Sequence, residues 1–216
     1  DDRNKGARYL LEAAGMLRDR GVDFHLAFVD RRNAELAPRM VQELGLGDRV
    51  TFTGRLSIDE LVRAYNEAQV MVSPSLYEGF GLPAAEAQGC GTPVVATTAG
   101  AFPEVIADDE TGILVPPADA GALADAIQRL LSDPARRTAM GAAGARRIED
   151  HFSWRACAAH TAALYEEVLA ARQLDRAGAH ALRRSWHPRV WPLREPPHRP
   201  DAPTPRASGR RPSPGV

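Results

Sequence analysis

Leu10, Leu11, Ala14 and Leu17 recur at helical spacing between residues 7 and 20, and Gly21 closes the run. A helix with one apolar face is expected there. The period then changes. Residues 24–29 form a short apolar run of strand length, 33–44 return to helical spacing and stop at Gly45, and Val50–Phe52 reads as a strand again. Ser57-Ile58-Asp59-Glu60 is a capping box: the Ser57 hydroxyl accepts from the third helical N–H while Glu60 reaches back, which starts a helix through about Glu67. Strand 69–72, helix 83–88, strand 93–96, a short helix near 103–107 and strand 113–115 follow. Helices alternating with strands through short links predict an α/β fold, a doubly wound parallel sheet covered on both faces. From Asp119 the pattern is helical only. Leu123, Ile127, Leu130 and Leu131 share one helix, residues 134–149 make another, and Ser153 caps a third over 154–170. No internal repeat is visible.

The most informative stretch is residues 73–86, Ser-Pro-Ser-Leu-Tyr-Glu-Gly-Phe-Gly-Leu-Pro-Ala-Ala-Glu. A strand runs into a loop containing Gly79 and Gly81, and a helix opens at Pro83. Pro suits the first helical turn because its missing N–H would have no partner there. The two glycines let the backbone bend and approach a ligand. The free N–H groups at the helix start suit an anion such as a phosphate. Glu78 and Glu86 flank that position. Carboxylates accept from hydroxyls, and Glu86 can take a bidentate pair from a vicinal diol. Phosphate plus hydroxyls describes a nucleotide sugar.

Glu78 and Glu86, separated by seven residues, resemble the acidic motif of the family 4 glycosyltransferases, retaining enzymes of the GT-B fold. The resemblance continues in order: Lys5-Gly6, then residues 44–50 and Phe52-Thr53-Gly54 before the motif, then 89–96, Phe102-Pro103-Glu104-Val105 and 111–115 after it, with Phe152-Ser153-Trp154 and Tyr165 closing. It covers about residues 3–170. The resemblance implies two Rossmann-like domains facing each other, of which this chain is the C-terminal, donor-binding one, without its first strand and without the N-terminal domain that mostly supplies the acceptor site. It implies that Glu86 holds the ribose hydroxyls and that Glu78 lies beside the donor sugar. The backbone of Gly79, Phe80, Gly81 and Leu82 would hold the sugar and the distal phosphate, and Lys5 would act as the phosphate-binding lysine. Glu78 and Lys5 are thus the expected catalytic residues. The arginine that usually accompanies that lysine falls before Asp1, and Arg3 is a poor substitute by spacing. Arg55 and Leu56 follow a strand end that would border the base, with a plain connecting turn as the equal alternative. Asp30-Arg31-Arg32 departs from the family, where a glycine usually follows this strand. No cofactor and no metal are implied, since the nucleotide sugar is a substrate and no two of the six histidines have ligand spacing. His151 reads as a surface or helix-end residue and Glu104 as a structural cap.

Composition adds bounds. The 216 residues are 44% apolar, ample for a core, and the net charge of −1 points to no nucleic-acid partner. Cys90 and Cys157 form no ligand spacing and are expected as small buried core residues. No apolar run approaches a membrane span, so the expected location is cytoplasmic, with room for peripheral contact at the inner membrane face. Domain 1–171 is expected to carry the fold. Residues 172–216 hold ten Arg against Asp175, Glu195 and Asp201, together with nine prolines, and are expected to be a disordered basic tail. Such a tail can touch acidic lipid, do nothing, or be the product of GC-rich codons read out of frame. The expected activity is transfer of a sugar from a nucleoside-diphosphate donor to an acceptor hydroxyl of unknown kind, with this chain alone inactive. The rivals are a nucleotide-sugar epimerase of similar architecture and an inactive truncated nucleotide-binding domain.

Overall fold

A computed structural model of the chain describes residues 2–29 and 36–177. The Asp30-Arg31-Arg32 departure, the Arg3 side chain and the tail beyond 177 lie outside the described residues. The chain divides into two compact units, Asp1–Leu164 and Tyr165–Val216.

Along the chain the order is α1 Asp2–Lys5, α2 Ala7–Asp19, β1 Leu26–Phe28, α3 Leu36–Glu43, β2 Val50–Phe52, α4 Ile58–Glu67, β3 Met71–Ser73, α5 Leu82–Gly89, β4 Val94–Thr97, α6 Phe102–Val105 and β5 Gly112–Val115. Then come α7 Ala120–Leu131, α8 Pro134–Arg147, one π-helical turn Ile148–Phe152, and α9 Trp154–Ala177. Every strand pairing among the described residues is parallel: Leu26 opposite Val50, Met71 opposite Val94, and Val94 opposite Gly112. The order is β1-β2 in one sheet and β3-β4-β5 in another. The single sheet expected from the alternation is therefore observed as two, and α2 ties them together. Leu10, Ala13 and Leu17 of α2 pack in a cluster with Val72 of β3 and with Leu26 and Phe28 of β1. Leu11 and Ala14 face α3 and β2 through Val41 and Val50.

The strand β4 explains why both faces are covered. All four of its residues are buried. Successive strand residues point to opposite faces, and the clusters follow that alternation. Val95 packs with α2 and α7 through Leu123, Ile127 and Leu130. Val94 and Ala96 pack with α5 and α6 through Ala84, Ala87, Phe102 and Val105. A strand buried on both sides reads as a near-continuous apolar run, and Val94-Val95-Ala96 is one, closed by the buried Thr97.

The local signals are realised at several helix ends. Ser57 and Glu60 form the reciprocal capping box at α4. The Ser153 hydroxyl accepts from the Ala156 N–H at the start of α9. That helix runs to Ala177, beyond the expected end at 170. The first proline past residue 170 is Pro188, and Ala, Arg, Leu and Gln before it are good helix formers. In the second unit, the described side chains of this helix, 165–172, are exposed. Cys90 is half-buried, but Cys157 is exposed, against the expectation of two core cysteines. It stands on α9 where its neighbours 158–164 are exposed as well.

Candidate functional site

The strands β3 and β4 both end at the same edge of their sheet, and two loops leave there. Residues 74–81 lead from β3 to α5, and 98–101 lead from β4 to α6. Ligands of doubly wound sheets bind beyond this carboxyl edge. The end of α1 meets the first loop, since the Leu76 N–H donates to the Asn4 carbonyl at 2.7 Å. That contact carries Lys5 to the motif, and Lys5 Nζ reaches Glu78 Oε2 at 2.8 Å. The lysine side chain is 61% exposed and the glutamate 13%, so the ion pair lies at the mouth of the site with the carboxylate on the inner side.

Glu78 is held at several atoms. The hydroxyl of Ser75, itself buried, donates to the same Oε2 at 3.2 Å. The Ser75 carbonyl in turn accepts from Thr97 Oγ1 at 2.5 Å. The Glu78 carbonyl accepts from the Ala101 N–H at 3.2 Å. Gly100 allows this approach, because a Cβ there would stand 1.8 Å from the Glu78 carbonyl oxygen.

Gly81 precedes α5 with φ of 90°, the left-handed region that favours glycine. A side chain there would also meet the Phe102 ring. Pro83 is the second residue of the helix rather than the first. Gly79 differs from expectation. It has no left-handed φ, and a Cβ would meet nothing within 4 Å, so its role in bending the loop is not required by this conformation. The N–H groups of Gly79, Phe80, Gly81 and Leu82 donate to no acceptor among the described residues. Phe80 and Leu82 are exposed, and the Phe80 ring meets Phe152 edge-on at 5.9 Å.

Glu86 lies one turn further along α5. Ala84, Ala85, Ala87 and Gln88 are buried, whereas Leu82, Pro83 and Glu86 face outward. Leu82 and Glu86 are four residues apart and share that face, which places the carboxylate about 6 Å along the axis from the helix start. One Glu86 oxygen accepts from the Tyr65 hydroxyl at 3.2 Å. Burial first, then the charge and hydrogen bond of Glu86, push the Tyr65 phenol well above its ordinary range. Burial and then Glu86 also raise the Cys90 thiol.

The structure thus joins Lys5 to Glu78 beside the free amides of 79–82. No hydrogen bond or ion pair among the described residues ties Arg55 or Leu56 to them; Arg55 is exposed and Leu56 half-buried between β2 and α4. Tyr65, Ser75, Thr97 and Gly100 are the residues that spacing alone does not single out. Only Ser75 carries a local hint, by standing within the motif. His151 is exposed in the π turn, as expected. No group of three or more His, Cys, Asp or Glu side chains fit to hold a metal occurs among the described residues.

Fold and site together define a doubly wound α/β domain that presents backbone amides, one cation and two carboxylates at the carboxyl edge of a parallel sheet. The chain belongs to the family described as glycosyl transferases group 1, whose model matches residues 1–147. It is 42% identical over 168 residues to the MMP α-(1→4)-mannosyltransferase of Mycolicibacterium hassiacum, covering 77% of this chain and 41% of that protein. Among solved structures it resembles a sucrose-phosphate synthase from Thermosynechococcus elongatus, with 40% identity, a TM-score of 0.65, and coverage of 78% of this chain and 43% of that one. It also resembles a mutant TarM of S. aureus solved with fondaparinux, α-GlcNAc-glycerol and UDP, at 25% identity and a TM-score of 0.61, covering 69% of this chain and 30% of the other. The chain spans less than half the length of each. Among the described residues no helix is long and apolar enough to cross a membrane.

Proposed function

We propose that this chain carries the donor site of a retaining glycosyltransferase, binding a nucleoside-diphosphate sugar whose sugar passes to an acceptor hydroxyl. The observation that carries the reading is the Lys5–Glu78 pair standing beside the unpartnered amides of Gly79 to Leu82. In this reading the amides and Lys5 take the diphosphate and stabilise it as it departs. Glu78 accepts hydrogen bonds from the donor sugar and fixes the anomeric carbon, while Glu86 takes the ribose diol. The acceptor hydroxyl attacks from the face the diphosphate leaves, so the protein's contribution is orientation and charge stabilisation. Arg55 and Leu56 would border the base. Site chemistry calls for no metal or cofactor beyond the donor. Matches that cover only 41% of the mannosyltransferase and 43% of the synthase support a second domain that completes the acceptor site, and a cytoplasmic location gives access to nucleotide sugars. UDP in the TarM complex supports a nucleoside diphosphate as the ligand class.

Calorimetric titration of the purified chain with UDP and GDP tests the reading. Binding is expected to be weak, and Glu86→Ala should cost about 1–3 kcal/mol, the scale of hydrogen bonds to a charged group. Equal affinity of the mutant would remove Glu86 from the site. Incubation with a sugar nucleotide should give no multiple-turnover transfer by this chain alone; an isomerised donor without acceptor would favour an epimerase instead.

A further inference from the structure

We propose that Tyr65 is a positioning residue that sets the Glu86 carboxylate for a ribose diol, so that sugar recognition in the nucleotide depends on a phenol from a neighbouring helix. The proposal rests on the reading of Glu86 as the ribose ligand.

The geometry is built from both ends of the contact. Tyr65 lies in the last turn of α4 and is 9% exposed, with its ring in the same cluster as Ala84, Ala85 and Ala87 of α5. Its carbonyl is tied by the buried Thr92 hydroxyl at 2.6 Å. Backbone and ring are thus both fixed, and the hydroxyl is left pointing at the outward face of α5. There it donates to Glu86 Oε2 at 3.2 Å. An exposed glutamate on a helix otherwise samples several rotamers, and ordering one of them on binding costs entropy. The phenol removes that freedom beforehand. It also occupies one oxygen from the protein side, leaving Oε1 and a second lone pair of Oε2 to accept from two adjacent hydroxyls. Cys90, one turn beyond Glu86, is held as a neutral thiol by burial and by the carboxylate, so no second anion competes for the phenol. The Tyr65 phenol likewise stays protonated through neutral pH, which keeps it a donor.

A merely structural tyrosine and a positioning one differ in what they do to diol recognition. The chain is titrated with UDP, GDP and ADP, and the tightest of these is compared with its 2′-deoxy counterpart. Wild type should prefer the ribonucleotide, and Glu86→Ala should abolish the preference. Tyr65→Phe should reduce the preference about three- to tenfold, the scale of one hydrogen bond, with a smaller loss for the 2′-deoxy nucleotide, which keeps one hydroxyl for Glu86. The double variant should match Glu86→Ala. Replacing Tyr65 by 3-fluorotyrosine, a stronger donor of nearly the same shape, should raise the preference and serves if the phenylalanine variant does not fold. If Glu86→Ala abolishes the preference while Tyr65→Phe retains it, or weakens both nucleotides equally, the Tyr65 proposal falls and the ribose reading of Glu86 stands. If wild type shows no preference, or Glu86→Ala keeps it, both fall together.

Discussion

The two acids of the motif look alike in sequence and are held in opposite ways. Glu78 is clamped. Its carbonyl is bound by the β4–α6 loop, its carboxylate takes Ser75 and Lys5, and Ser75 is itself tied to Thr97. Glu86 stands on an exposed helix face with a single donor among the described residues, Tyr65. In the donor-site reading the difference follows the chemistry. The acid beside the reacting carbon has to be fixed before substrate arrives, because a small displacement there costs rate. The acid at the ribose contributes binding alone, so one oriented oxygen is sufficient.

The largest effect should come from breaking the clamp. Gly100→Ala puts a methyl group within 1.8 Å of the Glu78 carbonyl oxygen at a backbone φ of 58°. Both the clash and the left-handed backbone oppose it, and a loss of about 3 kcal/mol is expected, at the upper end of single substitutions. Thermal unfolding should show a drop of roughly 6–12 °C for a chain of this size. Gly79→Ala, in the same site but in open space, should change stability by no more than about 0.5 kcal/mol. Equal losses at the two glycines would mean that the loops do not touch as described. Next comes Ser75→Ala, which removes a buried donor from Glu78 and should cost about 1.5 kcal/mol in urea unfolding. A smaller loss is expected from Lys5→Met, since its ammonium is mostly exposed and such pairs contribute about 0–1 kcal/mol.

The contrast also marks what was legible in the chain. Glu78, Gly81 and Glu86 could be read from a strand, a turn and a helix within fourteen residues of sequence, because each signal there is local. So could the covered sheet, from the unbroken apolar residues of β4 and the alternation around them. Lys5 was reachable through the resemblance, but its contact with Glu78 spans 73 residues and follows from the fold. Tyr65 and Thr97 act across elements, where spacing carries no signal. The same holds for Gly100, which is required by a carbonyl arriving from another loop rather than by its own turn. Cys157 shows the opposite failure: residue type suggested a buried position, yet its helix offers that face to solvent. The division into two sheets was hidden too, since alternation predicts neighbours and not which edges pair.

The subtlest test concerns the lightly held end. Tyr65 has its phenol raised above the ordinary value near 10, so the folded state keeps a proton that the unfolded chain releases first. Below about pH 10 both states carry that proton, and the tyrosine's contribution to stability is fully present. Above it the unfolded state deprotonates while the folded state does not, and stability falls as pH rises. Urea unfolding at pH 9, 10 and 11 should therefore show a steeper loss for wild type than for Tyr65→Phe, which has no proton to lose. Glu60 gives an internal reference of opposite sign. Its carboxyl is lowered by the Ser57 N–H and hydroxyl, so its contribution is present above the ordinary carboxylate range and fades only in acid. Alkaline slopes that are identical in the two proteins would show the phenol to be as free as in the unfolded chain, and Glu86 would then have no fixed donor at all.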